Sequence, residues 1–547
     1  MNFYSYDMND PVFSLYSYKI SIQIFTLENI YGLDPDSCTV FQTEERWTLH
    51  CDGLTWAGQQ ERSHGELILD AEKIGDGDRE LKVIISAKAP SKIRCIKLLV
   101  RDLPVLELLD MNEKPVEIPD EGIILSYPGF DCRMPLMAVR LNNDCNDLLG
   151  IRCEDSKIRQ KRFAIYSEKD LWGSENKYAV ELIHEEDARF FSTEMVTPPW
   201  IIERTDNFKA FVEEHLKFCE NNYKLLSWGK RQDVPNWMHE VSLCASLHGM
   251  HWSGYIFNTY CDMLDILRYI ADRIDPKWVL VFLPGWEGRY YWQYGECRPE
   301  PRLGGEESFG ILCREAVKMG FHLMPMVGGN CVNSWLNDFQ SYGPDAYMKS
   351  ATRMRYHGNA PDWSQDRSHD TGWQAWLNPG HPSWQRKLSD QIHQLADKYG
   401  WDGIFLDTIH VWSNDPDHNI YEGICQLVAK LHTEKNEFLV AAEDWWDALT
   451  GLFPLFQNDG INQPMTPYWF EKYSRIFSFL GHVEPARSSG GVQHMRYLPY
   501  ERPPLSKVYI PTVSFINDTL ILANNAVDEA IQQGIIYHEK KYGNIIE

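Results

Sequence analysis

The sequence predicts a multidomain α and β protein, with an N-terminal antiparallel β-sandwich followed by a (β/α)8 barrel. A chain of 547 residues is too long for one typical domain of about 100–200 residues. Short apolar segments separated by turn-forming residues fill the first part, whereas from Val241 onward short apolar segments alternate with amphipathic helical stretches. We therefore expect a β-sandwich domain over residues 1–200, a helical linker over 201–240 and a barrel over 241–547.

Composition and charge exclude several classes of protein. The 44% hydrophobic and 24% charged residues are usual for a globular protein. Because the net charge is −25, the surface repels phosphate backbones, and nucleic acid is excluded as a partner. No stretch approaches 18 uncharged apolar residues, so we expect no membrane-spanning helix.

The cysteines and the N-terminal residues bear on location. None of the thirteen cysteines forms a CxxC pair, and many lie in apolar stretches, which predicts buried free thiols in a reducing compartment. The first residues, MNFYSYDMNDPVF, contain no basic segment followed by an apolar one, so no secretory signal is expected. We expect a cytoplasmic protein without a metal or other cofactor.

Five segments of the first part have the composition of β-strands, being short and rich in Val, Ile, Leu and Phe. They span residues 19–25, 66–69, 81–86, 94–100 and 137–141. Turn-forming stretches separate them, which is typical of antiparallel sheets. After the break at residues 197–200 (TPPW), apolar residues at helical spacing from Phe208 to Cys219 predict the linker helix.

The second part shows five βα units in succession. The predicted strands span residues 241–247, 278–283, 321–327, 403–407 and 438–443, and a helical pattern follows each of the first four. Five such units favour a barrel over a doubly wound sheet, and no GxGxxG or GxxxxGK[ST] motif follows any strand. We place a sixth strand near 476–483, a seventh at 508–516 and a last helix from 525 to 541. No eighth strand is assigned: either the barrel is incomplete, or the chain ends before it closes.

Two carboxylates end neighbouring predicted strands. Asp407 ends the fourth strand and Glu443 the fifth, 36 residues later. Active sites of (β/α)8 barrels lie at the carboxyl ends of the strands, and adjacent strands lie about 4.7–4.9 Å apart. Retaining glycosidases hold two carboxyl groups about 5–5.5 Å apart, one as nucleophile and one as acid/base. The alternative is structural: Asp407 caps the following loop and Glu443 pairs with a cation.

Asp518 is a third candidate. It follows the predicted seventh strand, where a carboxylate can bind sugar hydroxyls and stabilise an oxocarbenium-like state. The alternative is a turn residue, since Asn-Asp-Thr is ordinary turn composition.

These segments resemble known glycosidases. GIFLD followed one unit later by Glu-Asp-Trp resembles the fourth and fifth strands of α-amylase-like glycoside hydrolases. The likeness is stronger to endo-α-N-acetylgalactosaminidase-like barrels and to related uncharacterised bacterial glycosidase-like proteins. Residues 284–305 (PGWEGRYYWQYGECRPEPRLGG) are similar to the loop after their second strand, and residues 376–385 (WLNPGHPSWQ) to the segment before their third helix. A β-sandwich before the barrel also fits these proteins.

The resemblance implies roles for the three acids. Asp407 matches the nucleophile, Glu443 the acid/base and Asp518 the third acid of a glycosidase cleaving an α-linked neutral or amino sugar. The expected partner is therefore an oligosaccharide or glycoconjugate substrate. The chain departs from the amylases in having Phe405 where they carry an arginine, and Asn517 before Asp518 where they carry a histidine.

Aromatic residues suggest where a sugar binds. Tryptophan occurs 20 times, and 16 of these residues lie between Trp228 and Trp469. Such rings either stack on sugar faces or fill a large core. Side chains predicted to contact sugar are Trp286, Glu287, Arg289, Tyr290, Asn330, Trp376, Asn378, His410 and Trp445.

Three alternatives remain at this stage. His248 and His251 follow the first strand and could ligate a catalytic metal, although their spacing differs from the HxH of metal-dependent hydrolases. A non-catalytic glycan-binding protein on a decayed barrel is a second alternative. Glycosyl transfer is a third, because it shares the covalent intermediate of retaining hydrolysis.

Overall fold

The computed structural model describes residues 10–74, 80–105, 107–141, 147–168, 177–251, 253–289, 292–356, 374–433, 435, 437–458, 466–478 and 507–542. The chain divides into two compact units. The first comprises Met1–Lys224 with Trp446–Ala448, and the second Leu225–Trp445 with Leu449–Glu547. The boundary after Lys224 falls within the segment predicted as a helical linker.

The first unit is an antiparallel β-structure. Among the described residues, eighteen strands join in one hydrogen-bonded sheet, and neighbouring strands pair antiparallel. In chain order they are β1 Phe13–Leu15, β2 Tyr18–Thr26, β3 Ile30–Leu33, β4 Cys38–Gln42, β5 Arg46–Cys51, β6 Leu54–Trp56, β7 Glu61–Ser63, β8 Glu66–Ile74, β9 Glu80–Leu103, β10 Glu107–Leu109, β11 Pro115–Val116, β12 Ile123–Tyr127, β13 Leu136–Arg140, β14 Leu148–Cys153, β15 Lys161–Ser167, β16 Tyr178–Glu185, β17 Ser192–Val196 and β18 Trp200–Thr205.

The long strand β9 organises this unit. Its first half pairs with β8 on one side and with β17 and β18 on the other. Its second half pairs with β2 and β16. Residues 81–86 and 94–100, predicted as separate strands, therefore belong to one strand that connects two groups of strands.

Helix α1, Phe208–Asn222, follows the last strand and belongs to the first unit. The Asn207 side chain caps it by accepting a hydrogen bond from the amide of Ala210. Its buried face includes Phe211, whose ring lies where a side chain on Gly150 of β14 would have to be. The glycine thus allows the helix to pack closely on the sheet.

The second unit contains the remaining strands and helices. Its strands are β19 Leu243–Leu247, β20 Val279–Leu283, β21 His322–Gly328, β22 Cys331–Asn333, β23 Gln374–Trp376, β24 Gly403–Asp407, β25 Leu439–Glu443, β26 Leu455–Asn458, β27 Arg475–Ser478, β28 Tyr509–Ile510 and β29 Thr512–Phe515. Its helices are α2 Tyr260–Ala271, α3 Gly305–Met319, α4 Pro382–Tyr399, α5 Ile420–Thr433, α6 Thr519–Leu522 and α7 Asn524–Tyr542. Apart from the two-stranded antiparallel sheet of β22 and β23, the described strands form one parallel sheet.

This sheet closes on itself. Strand β28 pairs with β27, and β29 pairs with β19, the first strand of the barrel. Only Pro511 separates β28 from β29, so together they take the eighth position of the ring. Proline has no N–H to donate, which explains the interruption. The antiparallel β domain and the parallel barrel predicted from the sequence are confirmed.

Two expectations about the last strands were wrong. The sixth strand is β26, a short segment that had not been predicted, and the strand placed near 476–483 is the seventh, β27. The segment at 508–516 is the eighth position, so the barrel is complete within the described residues. Asp518 consequently follows the eighth strand.

The barrel interior is filled by aromatic side chains. Phe282, Phe405 and Phe477, from three different strands, pack edge to face with centroid separations of 5.0, 5.2 and 5.9 Å. Phe405 lies two residues before Asp407 on the same strand, so its side chain points in the same direction. The phenylalanine in place of an amylase-type arginine therefore belongs to this interior cluster. No described helix is both long and apolar enough to cross a membrane.

Candidate active site

Asp407 is the last residue of β24, whose five residues are all buried. Only 5% of Asp407 is exposed, and the phenol of Tyr294 donates a hydrogen bond of 2.6 Å to its Oδ2. In the sheet register it lies opposite Gly328, the last residue of β21. The amide of Gly329 donates to the carbonyl oxygen of Asp407 at 2.8 Å. Hydrogen bonds to both the side chain and the backbone therefore hold Asp407 in place.

Glu443 ends the adjacent strand β25. The amide of Thr408, the residue next to Asp407, donates to its Oε2 at 2.9 Å, and the charge of Asp407 acts on its carboxyl group. The Nδ1 atom of His410 lies 3.0 Å from the Glu443 carbonyl oxygen and 3.6 Å from Oε2. The two acids predicted from strand adjacency thus share one site, and His410, predicted as a sugar contact, lies beside Glu443.

Burial sets the protonation of this pair. It raises the pKa of Asp407 to about 6, while the hydrogen bond from Tyr294 acts in the opposite direction. Burial and the neighbouring Asp407 charge raise the pKa of Glu443 well above its ordinary value. Of the two acids, Glu443 therefore binds its proton more strongly.

The residues that follow both acids have unusual backbone conformations. Thr408 has a φ of 62° and Asp444 a φ of 53°, in the left-handed region that β-branched residues in particular avoid. Each such residue costs about 1–3 kcal/mol. The Oγ1 atom of Thr408 lies 2.6 Å from Oδ1 of Asn330, and Asp444 donates its amide to the Gln457 carbonyl oxygen at 3.0 Å. These bonds hold the sharp turns that follow the two carboxylates.

Tyr294 was not predicted as a site residue. It lies in the loop after β20, is 1% exposed, and reaches Asp407 because that loop packs on β21 and β22. A side chain at Gly328 would come within 2.8 Å of the Tyr294 ring. The loop had been singled out for its aromatic residues, but periodicity does not indicate which tyrosine points inward.

Asn330 is placed beside the acids, as predicted. It is fully buried and its Oδ1 contacts Thr408, whereas its Nδ2 has no hydrogen-bond partner among the described residues. A buried amide N–H2 without a partner is costly, so it marks a position where a hydroxyl or a water would be bound.

Three tryptophans predicted to stack on sugar are instead packed in the protein. Trp286 is 0% exposed, stacks on Phe309 and donates its indole N–H to the Met326 carbonyl oxygen. Trp445 is 1% exposed and packs against Phe470. Trp376 lies in β23 with 9% exposed. These predictions are corrected: the faces of Trp286 and Trp445 are used for packing, since burying their large area stabilises the barrel.

Three other predicted contacts have structural partners. Glu287 is buried and accepts the Cys297 amide at 2.7 Å, and burial raises its pKa to about 8. The Arg289 guanidinium lies 5.6 Å from the Trp292 ring centre. Asn378 shapes its own loop by accepting the Gly380 amide and donating to the His418 carbonyl. Tyr290 lies outside the described residues.

Asp518 is exposed and precedes the short helix α6, where its carbonyl accepts the amides of Ile521 and Leu522. Its role as a third acid stays a prediction.

The two histidines considered as metal ligands have other contacts. The His248 ring packs edge to face on Phe257, and His251 Nδ1 lies 2.7 Å from the Ser253 hydroxyl. Within the described part of the chain, the three-residue groups with metal-ligating spacing are His215–Cys219–Asp447 and His50–Asp52–Glu66. Both groups lie in the first unit.

Comparisons with known proteins bear on the fold of the chain. No family model matches the chain. A Monosiga brevicollis protein named "Putative glycoside hydrolase 22789" is 26% identical over 216 residues, which are 36% of this chain and 17% of that protein. The chain therefore spans about a sixth of the length of the curated relative that it matches.

Solved structures share the fold over nearly the whole chain. The alpha-N-acetylgalactosaminidase NagBb from Bifidobacterium bifidum, in its GalNAc complex, has a TM-score of 0.64 at 11% identity. The alignment covers 97% of this chain and 90% of that one. A variant of the GH36 alpha-galactosidase AgaA from Geobacillus stearothermophilus, in complex with raffinose, has a TM-score of 0.54 at 11% identity, over 97% and 78% of the two chains. The chain thus has the fold of these proteins, with a β domain before a barrel.

Proposed function

We propose that this chain is a glycoside hydrolase that cleaves an α-linked neutral or amino sugar with retention of configuration. The observation that carries the proposal is the pair Asp407 and Glu443, which end adjacent barrel strands and differ in how strongly they bind a proton. A carboxylate and a carboxylic acid side by side are the two groups that double displacement at an acetal carbon needs.

The roles follow from the environments of the two acids. Asp407 has the lower pKa and a phenol donor, so it is the anion that attacks the anomeric carbon. Glu443 retains its proton and donates it to the glycosidic oxygen as that bond breaks. The resulting glycosyl ester on Asp407 is hydrolysed by water, from which the Glu443 carboxylate now takes a proton.

Hydrogen bonds hold both acids in place for the reaction. The Thr408 amide donates to Glu443, and the Tyr294 phenol donates to Asp407. In the proposed mechanism a sugar ring enters with its C1 facing Asp407 and its glycosidic oxygen facing Glu443.

The sugar we propose is a terminal α-galactoside or α-N-acetylgalactosaminide. The fold shared with an alpha-galactosidase and an alpha-N-acetylgalactosaminidase supports this class. The amide nitrogen of Asn330, buried beside Thr408, supplies a donor for a ring hydroxyl. Hydrolysis of the two 4-nitrophenyl α-glycosides distinguishes these sugars.

The test compares acid variants on substrates with good and poor leaving groups. Asp407→Asn should abolish turnover of both an α-glycosyl fluoride and an oligosaccharide. Glu443→Gln should preserve most turnover of the fluoride, which needs no protonation, and lower oligosaccharide turnover by about 10²–10⁴-fold. NMR of the first-formed product should show the α-anomer.

Two outcomes would contradict the assignment. Full activity of Asp407→Asn would exclude the nucleophile role. If Glu443→Gln changed the turnover of both substrates by the same factor relative to the parent, the acid role would be excluded.

A further inference from the structure

Trp335 differs from every other described tryptophan. It is 66% exposed, whereas the next most exposed, Trp56 in the first unit, is 41% exposed. Tryptophan is normally well buried because its large apolar surface is costly to hydrate. An indole left in solvent on a structured segment therefore needs an explanation.

The position of Trp335 connects it to the site. It follows β22, which continues from the carboxyl end of β21, where Gly328 lies opposite Asp407. Asn333, at the end of β22, donates its amide to the Tyr294 carbonyl oxygen at 3.0 Å, and the Tyr294 phenol binds Asp407. Trp335 thus follows a strand that is hydrogen-bonded to the loop of Tyr294, at the face of the barrel where the acids lie.

The backbone under this ring is held in place. The Asn333 side chain accepts the Trp335 amide at 2.8 Å and donates to the Trp292 carbonyl oxygen at 2.5 Å. The amide of Leu336 donates to the Asn333 carbonyl oxygen at 3.3 Å. The ring is therefore presented to solvent from a fixed turn, so little conformational entropy is lost when it binds a ligand.

We propose that Trp335 forms a binding subsite for the leaving-group side of the substrate, where the apolar face of a sugar ring stacks on the indole. This inference rests on the proposed function and adds to it a preference for oligosaccharides over glycosides with small leaving groups. A flat, exposed indole on a fixed backbone suits the C–H face of a pyranose, which offers few hydrogen bonds but a broad apolar surface.

The experiment uses two substrates that differ only on the leaving-group side. An α-galactosyl fluoride occupies no leaving-group subsite, whereas an α-galactosyl trisaccharide with the same terminal sugar does. Trp335→Ala should lower kcat/KM for the trisaccharide by about 3- to 12-fold, which corresponds to the loss of one aromatic stacking contact, and leave the fluoride unchanged. Trp335→Phe should recover part of the loss. Trp56→Ala is the matched control and should change neither value.

The outcomes separate the two proposals. If the parent protein hydrolyses neither the fluoride nor the trisaccharide, whether the terminal sugar is galactose or N-acetylgalactosamine, both the function and the subsite are rejected. If the parent is active and Trp335→Ala lowers both substrates equally, or neither, the subsite alone is rejected. Thermal melting of each variant shows that the fold is intact, as expected for a side chain with so little buried surface.

A separate observation concerns two cysteines of the first unit. Cys38 of β4 and Cys51 of β5 are directly opposite in the antiparallel register. Two other pairs of these strands are hydrogen-bonded. Asp52 donates its amide to the Ser37 carbonyl oxygen at 3.4 Å, one position from the cysteines, and Thr43 donates to the Arg46 carbonyl oxygen at 2.7 Å, five positions away on the other side. Because the two kinds of pair alternate, Cys38 and Cys51 occupy a non-hydrogen-bonded position, where Cα atoms lie about 4.5 Å apart. Disulfides accept Cα separations of about 4.4–6.8 Å.

We infer that Cys38 and Cys51 form a reversible cross-strand disulfide when the protein meets a small-molecule disulfide. One protein thiolate attacks the small disulfide, giving a mixed disulfide and one small thiolate. The second protein thiolate then attacks the protein sulfur of that mixed disulfide and expels the other small thiolate. Two protein S–H bonds are replaced by one S–S bond, and the oxidant is reduced to two thiols.

The surroundings favour the first step. The hydrogen bond from the Cys38 thiol lowers the pKa of Cys51 to about 6, so the pair loses one proton easily. The Ser37 hydroxyl lies 3.5 Å from the Cys51 sulfur. Cys51 is buried and Cys38 is partly exposed, so the oxidant approaches the pair from the Cys38 side. The hydrogen bond between the two thiols raises the pKa of Cys38, so Cys51 supplies the first thiolate.

Oxidised glutathione is the probe. After incubation of the folded protein, alkylation and trypsin digestion, we expect a disulfide linking the peptides on either side of Arg46, with a mass lower by two hydrogen atoms than the two reduced peptides together. Cys261, which is exposed, should carry glutathione instead of a cross-link. Cys38→Ser should abolish the linked peptide. Alkylation of both Cys38 and Cys51 while Cys261 is glutathionylated would reject the inference.

Discussion

The substitution Tyr294→Phe tests how the site controls its nucleophile. It removes one hydroxyl, which donates a 2.6 Å hydrogen bond to Asp407, and leaves the buried ring in place. A hydrogen bond to a charged group contributes about 1.5–3 kcal/mol. Its loss should raise the pKa of Asp407, which is about 6, by about one to two units, because this bond stabilises the ionised form.

The assay is kcat/KM against pH with an aryl α-glycoside. If Asp407 must be ionised, activity declines as the pH falls through its pKa, so the acid limb of the profile should move upward by the same one to two units. At a pH below the acid limbs of both proteins the variant should lose about 10- to 100-fold, and at higher pH the difference should narrow.

Tyr342→Phe is the matched control, since the Tyr342 hydroxyl is buried and has no hydrogen-bond partner among the described residues. Its profile should be unchanged. A loss in Tyr294→Phe that is equal at every pH, with the acid limb unmoved, would refute the view that the phenol sets the ionisation of Asp407.

Two further predictions concern the support of the site. Gly328→Ala places a methyl group 2.8 Å from the Tyr294 ring and against the Cys331 carbonyl. It should therefore lower the free energy of unfolding by about 1–3 kcal/mol and reduce kcat/KM. The control Gly229→Ala, whose methyl group meets no atom within 4 Å, should change neither value. Burial raises the pKa of Glu287 to about 8, so the folded chain keeps a proton that the unfolded chain loses near pH 4.5. The contribution of Glu287 to the free energy of unfolding should therefore fall by about 1.4 kcal/mol for each unit that the pH rises, up to about pH 8. Urea unfolding of Glu287→Gln at pH 5.5 and 7.5 should lack that slope, and a slope equal to that of the parent would contradict it.

The acid pair could be predicted because strand endings are visible in the sequence. β24 and β25 are continuous apolar segments that end in an acid, and parallel strands buried on both faces have this composition. Adjacency in the barrel then follows from adjacency in the chain. The Tyr294 contact could not be predicted, because it depends on how an irregular loop packs.

The missed sixth strand has a simple cause. β26 contains Gln457 and Asn458 among its four residues, and a 3-10 helix, Asp447–Gly451, stands between it and β25 where other units have an α-helix. Neither the apolar strand pattern nor the helical period is present. Trp286 was misassigned for a different reason: a tryptophan just after a strand can turn toward the surrounding helices as readily as toward the pocket.

The way β28 and β29 complete the ring matters for any shortened version of this chain. Removal of the residues from Tyr509 onward would expose the backbone N–H and C=O groups of β19 and β27 as two unpaired sheet edges. Such edges recruit strands from other molecules, so a truncated protein would be prone to aggregate even if every residue around the acids were retained.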